Sequence, residues 1–396
     1  MKRLLSFALI TAFLFAPAAQ AAPKKIAVKA MQLVTTVGTP DEVSGVVTSG
    51  KAVIVFGSKA AKAYARAVDT TGKELWNLSL DQSVASIATA AAVDSAGEIW
   101  IAGATPLALG LTPPSPTATP VNPDNASVPA NAVVGNLQAV TLWKITAAGV
   151  LSFTNTLPTS SVVLPTAISV DRNGASIVGV IGTEKGTAGF IVNTDKAGVF
   201  GKLLQIGSVS TTADAVVRHT DGSFTVVGSS SETLAGKKVA GITDGVIIKI
   251  SKASKITSVV RSSAQKGKRI WNSASSTLLL GGEVIAGGKT ETAVTKFSSS
   301  YVPTWTYRFP STGPGVTLGS TYALFLSTGA TPQLSWNPKV ATPLLLTFNA
   351  KGAVVAADSG PVGQREVLGV LLSKELGVLV VTSSADAVSI FTLIPR

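Results

Sequence analysis

Few residues of this chain could carry metal or triad chemistry. The sequence contains no Cys and a single His, His219. A His-based catalytic triad or a zinc site of thiolates and imidazoles requires more of these side chains than the chain holds. His219 directly precedes the turn sequence Thr220-Asp221-Gly222, so a local hydrogen bond explains it better than general-base chemistry. We therefore assign no catalytic residue, no metal site and no cofactor.

Carboxylates are the remaining groups that could perform acid–base chemistry. Asp214, Asp244 and Glu283 are the candidates, and two of them facing each other could serve a hydrolase or a lyase. Asp94 and Asp171 occupy equivalent positions in turn sequences, where Asp side chains accept local amide protons. Carboxylate-based hydrolysis or elimination therefore stays open as an alternative to a non-catalytic role.

Exposed basic and aromatic side chains are the candidates for binding. The net charge is +12, but only 14% of the residues are charged, and the Lys and Arg residues are dispersed along the chain. Nucleic-acid binders usually crowd these residues to neutralise phosphates, so we expect no nucleic-acid partner. An exposed Trp can stack on a sugar ring or insert into a protein partner. The candidate binding residues are Trp336, Lys237, Lys238, Lys266, Lys268 and Arg269.

The first 21 residues have the features of a secretory signal peptide. Lys2 and Arg3 precede an apolar run, and Ala19-Gln20-Ala21 supplies a cleavage pattern of small residues. We expect the protein to be secreted or to reside in the periplasm or cell envelope, with residues 22–396 forming one domain. No later segment has the ~18 uninterrupted apolar residues of a membrane-spanning helix, so we expect no membrane span.

A repeated unit organises the rest of the chain. In each copy a tight turn precedes a β-branched strand that ends in Gly or another small residue, which is typical of an all-β protein. The spacing fits the ~40–50 residues of a four-stranded propeller blade. The copies are Thr48–Gly57, Asp94–Gly103, Asp171–Gly179, Thr220–Gly228, Ser275–Gly282, the degenerate Tyr322–Gly329, and Glu375–Ser383.

The repeats predict a β-propeller, with seven four-stranded blades preferred and six to eight left open. The final copy lacks a fourth strand, because the chain stops after the third strand, Ala387–Arg396. The segment Lys29–Gly38 has the features of a fourth strand that precedes the first copy. We therefore expect this N-terminal strand to complete the last blade and close the ring, which would remove two open sheet edges.

The segment Arg66–Trp76, with the sequence RAVDTTGKELW, resembles the pyrroloquinoline-quinone-type propeller repeat. Blades of that family carry an Asp, a Thr-Gly turn and a Trp on the outer strand, and Trp305 recurs at the equivalent strand here. The other copies are similar to the repeats of secreted bacterial propellers. The resemblance implies the fold but no cofactor, because the acidic calcium ligands of quinone-dependent dehydrogenases have no counterpart in this sequence.

Long connections are predicted on one face of the propeller. They are a Pro-rich insertion at 104–138, which contains Thr112–Pro129, and the loops Ser229–Thr243 and Gly329–Ala341. Propellers tolerate function in such loops. We therefore expect a monomeric, non-catalytic binding or scaffold protein, outside the cell or in its envelope, which engages an unidentified protein or glycan through this face. A scaffold that assists outer-membrane assembly is a further possibility, and the alternative enzyme would act at the propeller axis.

Overall fold

A computed structural model describes residues 25–81, 85–107 and 136–394. The predicted signal peptide and most of the Pro-rich insertion lie outside these residues. The described residues form 29 β-strands. None of them forms a helix of the length and apolarity that crossing a membrane requires.

The strands form seven sheets, which are the seven blades predicted from the repeats. Two short strands come first, β1 (Val28–Ala30) and β2 (Gln32–Thr36). Blade 1 consists of β3 (Val43–Ser49), β4 (Ala52–Lys59), β5 (Lys62–Val68) and β6 (Glu74–Ser79). Blade 2 consists of β7 (Ile87–Val93), β8 (Ile99–Pro106), β9 (Leu137–Ile145) and β10 (Leu151–Pro158). Blade 3 consists of β11 (Val163–Asp171), β12 (Gly174–Thr183), β13 (Gly186–Asn193) and β14 (Leu204–Ile206).

The second half of the chain repeats this arrangement. Blade 4 consists of β15 (Ala215–Arg218), β16 (Phe224–Ser230), β17 (Asp244–Ile250) and β18 (Ile256–Ser262). Blade 5 consists of β19 (Lys268–Ala274), β20 (Leu279–Ala286), β21 (Lys289–Phe297) and β22 (Pro303–Pro310). Blade 6 consists of β23 (Val316–Leu318), β24 (Tyr322–Ser327), β25 (Thr342–Phe348) and β26 (Val354–Ser359). Blade 7 consists of β27 (Glu366–Ser373), β28 (Gly377–Ser383) and β29 (Val388–Thr392).

The first strand of each blade lies at the centre of a closed ring. These inner strands contact one another in the order β3, β7, β11, β15, β19, β23 and β27, and β27 contacts β3 again. Apolar clusters fill the junctions between consecutive blades, including the junction of blade 7 with blade 1, where Val46 packs with Val381. The core is therefore divided among the blade junctions.

The N-terminal segment closes the ring as predicted, but it does so as two strands. The strand β2 pairs antiparallel with β29 and supplies the fourth strand of blade 7. The preceding β1 pairs in parallel with β26 and adds a fifth strand to blade 6. Between them, Met31 is buried and its amide donates to the carbonyl of Ser359 at 2.8 Å. The predicted single strand is thus divided, because its first residues pair with the outer edge of blade 6.

A β-bulge recurs on the inner strands. The pairing of the first and second strands skips one residue in blades 1, 2, 3, 5 and 7. In blade 4, Asp214 is the bulge residue. Val227 of the second strand pairs with Ala215, and its carbonyl also accepts the amide of Asp214, so two inner-strand residues face one residue of the second strand. The bulge residues, which we call the bulge ring, are Ser44, Thr89, Thr166, Asp214, Asn272 and Leu368.

The bulge explains the Gly that ends the repeated unit. In five blades the carbonyl two residues before the bulge residue points at a Gly of the second strand. A Cβ at Gly57 would lie 2.0 Å from the carbonyl oxygen of Glu42, and one at Gly103 would lie 1.8 Å from that of Ile87. Real Cβ atoms do not approach carbonyl oxygens so closely, so Gly is required at these five positions, whereas blade 7 has Thr382 at the corresponding position.

Candidate binding surface

The alternating strand directions give the propeller two different faces. The turns that join strands one to two and three to four lie on one face, which we call the short-loop face. The connections from strand two to strand three, and the links between blades, lie on the opposite, long-loop face. The connections 107–136, 231–243 and 328–341 all join a second strand to a third strand, so the long connections share one face, as predicted.

The loop 231–243 of blade 4 is fastened to the link 263–267 between blades 4 and 5. The amide of Ile242 donates to the carbonyl of Gly267 at 2.8 Å, and the amide of Arg269 donates to the carbonyl of Thr243 at 2.9 Å. At the tip, Leu234 and Lys237 exchange two backbone hydrogen bonds, and Leu234 is buried in the core. The loop therefore has a defined conformation without belonging to a regular sheet.

A buried Arg holds the base of this loop. The guanidinium of Arg261, on the outer strand of blade 4, donates to the carbonyls of Glu232 and Lys237, the latter at 3.1 Å. It also lies 3.4 Å from the carboxylate of Asp244, whose side chain is fully buried. Asp244 accepts the amides of Ala240 and Gly241 at 3.0 Å. Burial raises the pKa of Asp244, but these hydrogen bonds and the nearby Arg261 outweigh it, so its pKa is lowered.

Glu232 holds the loop to the neighbouring link between blades 3 and 4. Its carboxylate accepts the amides of Ser208, Val209 and Ser210 at 2.9 to 3.1 Å, and the hydroxyl of Thr211 at 2.7 Å. Desolvation raises the pKa of Glu232, but these donors stabilise the anion more strongly and lower its pKa to about 2. The carboxylates of Glu232 and Asp244 thus both accept hydrogen bonds from within the protein.

Four of the predicted binding residues meet on this fastened surface. Lys237 and Lys238 follow the loop tip, while Lys266 and Lys268 lie on the adjoining link and the start of β19, and all four are exposed. Thr243 forms a bridge with Lys268, which joins the two segments directly. The side chain of Ile242 is also exposed between them. We call Lys237, Lys238, Lys266, Lys268 and Ile242 the basic sector.

Arg269 and Trp336 do not belong to the basic sector. Arg269 is only 5% exposed, because the alternation of β19 turns it inward, where its guanidinium lies over Trp271 at 4.0 Å and donates to Thr295. Burial, with a smaller contribution from Arg308, lowers the pKa of Arg269 to about 9. Trp336 is half-buried and packs against the apolar cluster between blades 5 and 6. Trp336 therefore offers only part of its ring to a ligand.

Sequence reasoning missed a second feature of the long-loop face. A cavity of about 370 Å³ on blade 1 is lined by Glu42, Lys59, Lys62, Tyr64 and Arg66, among others. The tight turn between Lys59 and Lys62 has two alanines with positive φ, at 48° and 58°. Ala gives no sequence signal for this conformation, which Gly, Asn or Asp normally supply. Lys59 and Glu42, which both line the cavity, form an ion pair with 3.2 Å between Nζ and Oε1.

The bulge ring contributes one carboxylate to the propeller axis. Asp214 accepts a single side-chain hydrogen bond, from the hydroxyl of Thr212 at 2.7 Å, and burial raises its pKa to about 6. The other candidate acids are elsewhere, since Asp244 begins the third strand of blade 4 and Glu283 lies on the second strand of blade 5. The described inner strands therefore place no second carboxylate in the bulge ring, as a carboxylate-pair mechanism at the axis would require.

His219 makes the local hydrogen bond expected from its turn. Its Nε2 lies 2.7 Å from the hydroxyl of Thr225. Burial lowers the pKa of His219 below its usual value, which favours the neutral ring. Within the described residues, no group of three or more His, Asp or Glu side chains is arranged to hold a metal ion.

Comparison with known proteins concerns the fold alone. No protein-family model and no curated protein matches this chain. A solved structure of YCF48 bound to D1 peptide is similar over 94% of this chain and 99% of that chain, with a TM-score of 0.47 and 10% identity. An uncharacterized protein from Listeria monocytogenes EGD-e is similar over 88% of this chain and 92% of that chain, with a TM-score of 0.45 and 11% identity.

Proposed function

We propose that this protein is a non-catalytic binding or scaffold propeller that engages a protein partner through its long-loop face, at the basic sector. The observation that carries the proposal is the fastening of the loop 231–243, which presents its lysines from a preorganised backbone. A surface that is already ordered loses less conformational entropy when a partner binds. The signal-peptide features of residues 1–21 support a role outside the cell or in its envelope.

The chemistry of the sector favours a partner with an acidic and partly apolar segment. Lys237, Lys238, Lys266 and Lys268 surround the exposed Ile242, while the nearby carboxylates of Glu232 and Asp244 are held by internal hydrogen bonds. An acidic partner would therefore meet positive charge with little competition from these two acids. A glycan is a weaker candidate for this face, because Trp336 is half-buried and offers only part of its ring for stacking on a sugar.

Charge reversal on the two faces tests this proposal. A variant with Lys237, Lys238, Lys266 and Lys268 all changed to Glu is compared with a control in which Lys51, Lys73, Lys196 and Lys351, exposed on the short-loop face, are changed to Glu. Both variants carry the same net charge. Partners captured by the wild type from the envelope fraction and culture fluid should be lost from the first variant and retained by the control. Retention of every partner by both variants would contradict the proposal.

The salt dependence of the captured complex provides an independent measurement. Binding through four exposed lysines should weaken as ionic strength rises, because counterions screen exposed charges over about 8–10 Å at physiological salt. We expect the wild type and the control to lose affinity by roughly tenfold between low and physiological salt. A complex that is insensitive to salt, or a partner digested by glycosidases rather than proteases, would direct the search away from an acidic protein.

A further inference from the structure

A cavity of about 420 Å³ opens on the short-loop face between blades 4 and 5. Blade 4 contributes His219, Asp221 and Lys249, and blade 5 contributes Leu278, Phe297 and Tyr301, with several Ser and Thr hydroxyls around them. The volume suits a small organic molecule. This cavity lies on the face opposite to the basic sector, so its role is independent of the function proposed above.

Lys249 supplies a positive charge to this cavity. Its contacts differ from those of the lysines at the equivalent position in blades 2 and 5. Lys144 and Lys296 occupy the position equivalent to Lys249 against the outer strand, in the third strands of blades 2 and 5. Lys144 forms an ion pair with Glu98 at 2.5 Å, and Lys296 donates to the carbonyl of Thr277. The ammonium group of Lys249 forms no ion pair or hydrogen bond with the described residues, although its charge acts on Asp221 and His219 of the same cavity. Its ammonium group is therefore available to a ligand anion.

Two residues of the cavity wall adopt a backbone conformation that most of the equivalent turns give to Gly, with Ser254 of blade 4 as another exception. Leu278 has a φ of 60° where the corresponding turns of blades 2 and 4 have Gly97 and Gly222. Tyr301 has a φ of 59° at the position of Gly149 in blade 2. The left-handed region costs a non-Gly residue about 1–2 kcal/mol. The side chains of Leu278 and Tyr301 are thus placed in the cavity wall despite an unfavourable backbone.

The outer strand at this junction lacks the aromatic residue found in blades 1 and 5. In blade 1, Trp76 packs so closely on the next blade that a Cβ at Gly149 would lie 2.5 Å from its ring, and Trp305 of blade 5 packs in the same way on Gly352. In blade 4, the corresponding position opposite Lys249 is Ser258. Ser leaves space where Trp would fill it.

The polar wall of the cavity is fixed by a chain of hydrogen bonds across the junction. The hydroxyl of Thr225 lies 2.7 Å from His219 Nε2 and 2.7 Å from the hydroxyl of Tyr301. Thr225 is fully buried, so the chain fixes the positions of the His and Tyr rings. Phe297 and Leu278 supply apolar surface beside these groups. A cation, fixed hydroxyls and an apolar wall together suit an anion that carries an apolar group.

We propose that this cavity binds a small organic carboxylate, whose anionic group pairs with Lys249 and whose apolar group packs against Phe297 and Leu278. The carboxylate takes the place of the Glu98 that accepts the ion pair of Lys144 in blade 2. The hydroxyls of Thr220 and Ser276, which also line the cavity, donate hydrogen bonds to its remaining oxygen lone pairs. The proposal is a binding site and involves no chemical step.

Saturation-transfer NMR and calorimetry with two matched probes test this proposal on the full chain without residues 1–21. Phenylacetate should bind with a Kd of about 1 mM or tighter, and the isosteric neutral phenylacetamide at least about tenfold more weakly. Lys249→Met should weaken phenylacetate binding by at least about tenfold, the loss expected for a charge-assisted hydrogen bond. Lys144→Met is the matched control, because Lys144 occupies the equivalent position but lies outside the cavity, and it should leave binding unchanged.

A second variant keeps the test decisive if Lys249→Met alters folding. Ser258→Trp combined with Tyr301→Gly gives this junction the aromatic and the Gly found at the junction of blades 1 and 2. It should fold with unchanged circular dichroism and lose phenylacetate binding. The absence of saturation transfer from phenylacetate to the wild type, equal affinity for the two probes, or unchanged binding in both variants would overturn the proposal.

Discussion

Blades 2 and 4 have the same four-stranded architecture but use their charged residues differently. In blade 2, Lys144 lies over the ring of Trp100 and is paired with Glu98, so the charge stabilises the sheet. In blade 4, the charged pair Arg261–Asp244 holds a loop, and Lys249 has no such partner. One repeat thus pairs its charged residues within its own sheet, while another copy with the same strands uses a buried ion pair to hold a loop.

The largest effect is expected where blade 4 buries its ion pair. Arg261→Ala removes the guanidinium from a fully buried Asp244 and from the carbonyls of the loop 231–243. Leaving a buried carboxylate without its partner typically costs about 3–5 kcal/mol in the free energy of unfolding. Urea denaturation monitored by Trp fluorescence measures this loss.

Arg308→Ala is the matched control for Arg261. Arg308 also pairs with an acid, Glu291, at 3.7 Å, but its side chain is 46% exposed. Exposed pairs contribute about 0–1 kcal/mol, so this variant should unfold at nearly the wild-type urea concentration. Equal losses for the two variants would mean that Arg261 does not hold the loop.

A smaller, pH-dependent effect is expected at Glu232. Its folded-state pKa of about 2 lies below its ordinary value of 4.5, so the ionised group stabilises the fold above pH 4.5, and this contribution is lost as the pH falls toward 2. Partial exposure limits the contribution to about 1–2 kcal/mol at pH 7. Glu232→Gln should therefore lower the Tm at pH 7. The difference from the wild type should shrink between pH 4.5 and pH 2 in calorimetric scans, and a constant difference would argue against the hydrogen-bonded carboxylate.

The smallest effects separate the two third-strand lysines. Lys144→Met removes an ion pair and a cation–π contact from a side chain that is 14% exposed, which should cost about 1–2 kcal/mol. Lys249→Met removes no ion pair or side-chain hydrogen bond among the described residues and should change the free energy of unfolding by about 0.5 kcal/mol or less. Chemical denaturation of both variants measures the contrast. A larger loss at Lys249 would show that it is a structural residue like Lys144.

The fold was largely predictable because it repeats. Gly57, Gly103, Gly179, Gly228 and Gly282 recur for a local steric reason, the close carbonyl of a bulged inner strand, and such reasons leave a signal in sequence. The turn glycines Gly72, Gly149, Gly198 and Gly352 recur for another local reason, the left-handed backbone of a tight turn, and all have φ between 77° and 85°. Ring closure by the N-terminal segment followed from counting strands.

The site was less predictable because it depends on contacts between distant residues. The division of Lys29–Gly38 into two strands depends on a free edge of blade 6, which no local pattern reveals. Arg269 is buried because β19 begins at Lys268, so the alternation of the strand exposes Lys268 and turns Arg269 inward. The third-strand cations Lys144 and Lys296 contact the first turn of their own blade, which a repeated residue type does not reveal by itself. The lack of a partner for Lys249 is visible only once every neighbour is placed.

The two strands of the N-terminal segment also determine the order in which the molecule can be completed. Among the described strands, β1 and β2 are synthesised first, whereas their partners β26 and β29 lie in the last two blades to be synthesised. Until then both ends of the growing array are exposed sheet edges, which are prone to pair with other chains. The final step joins residues from opposite ends of the sequence, a contact of the kind that slows folding. The same segment that fastens blade 6 to blade 7 thus leaves its own edges unprotected until β26 and β29 have been synthesised.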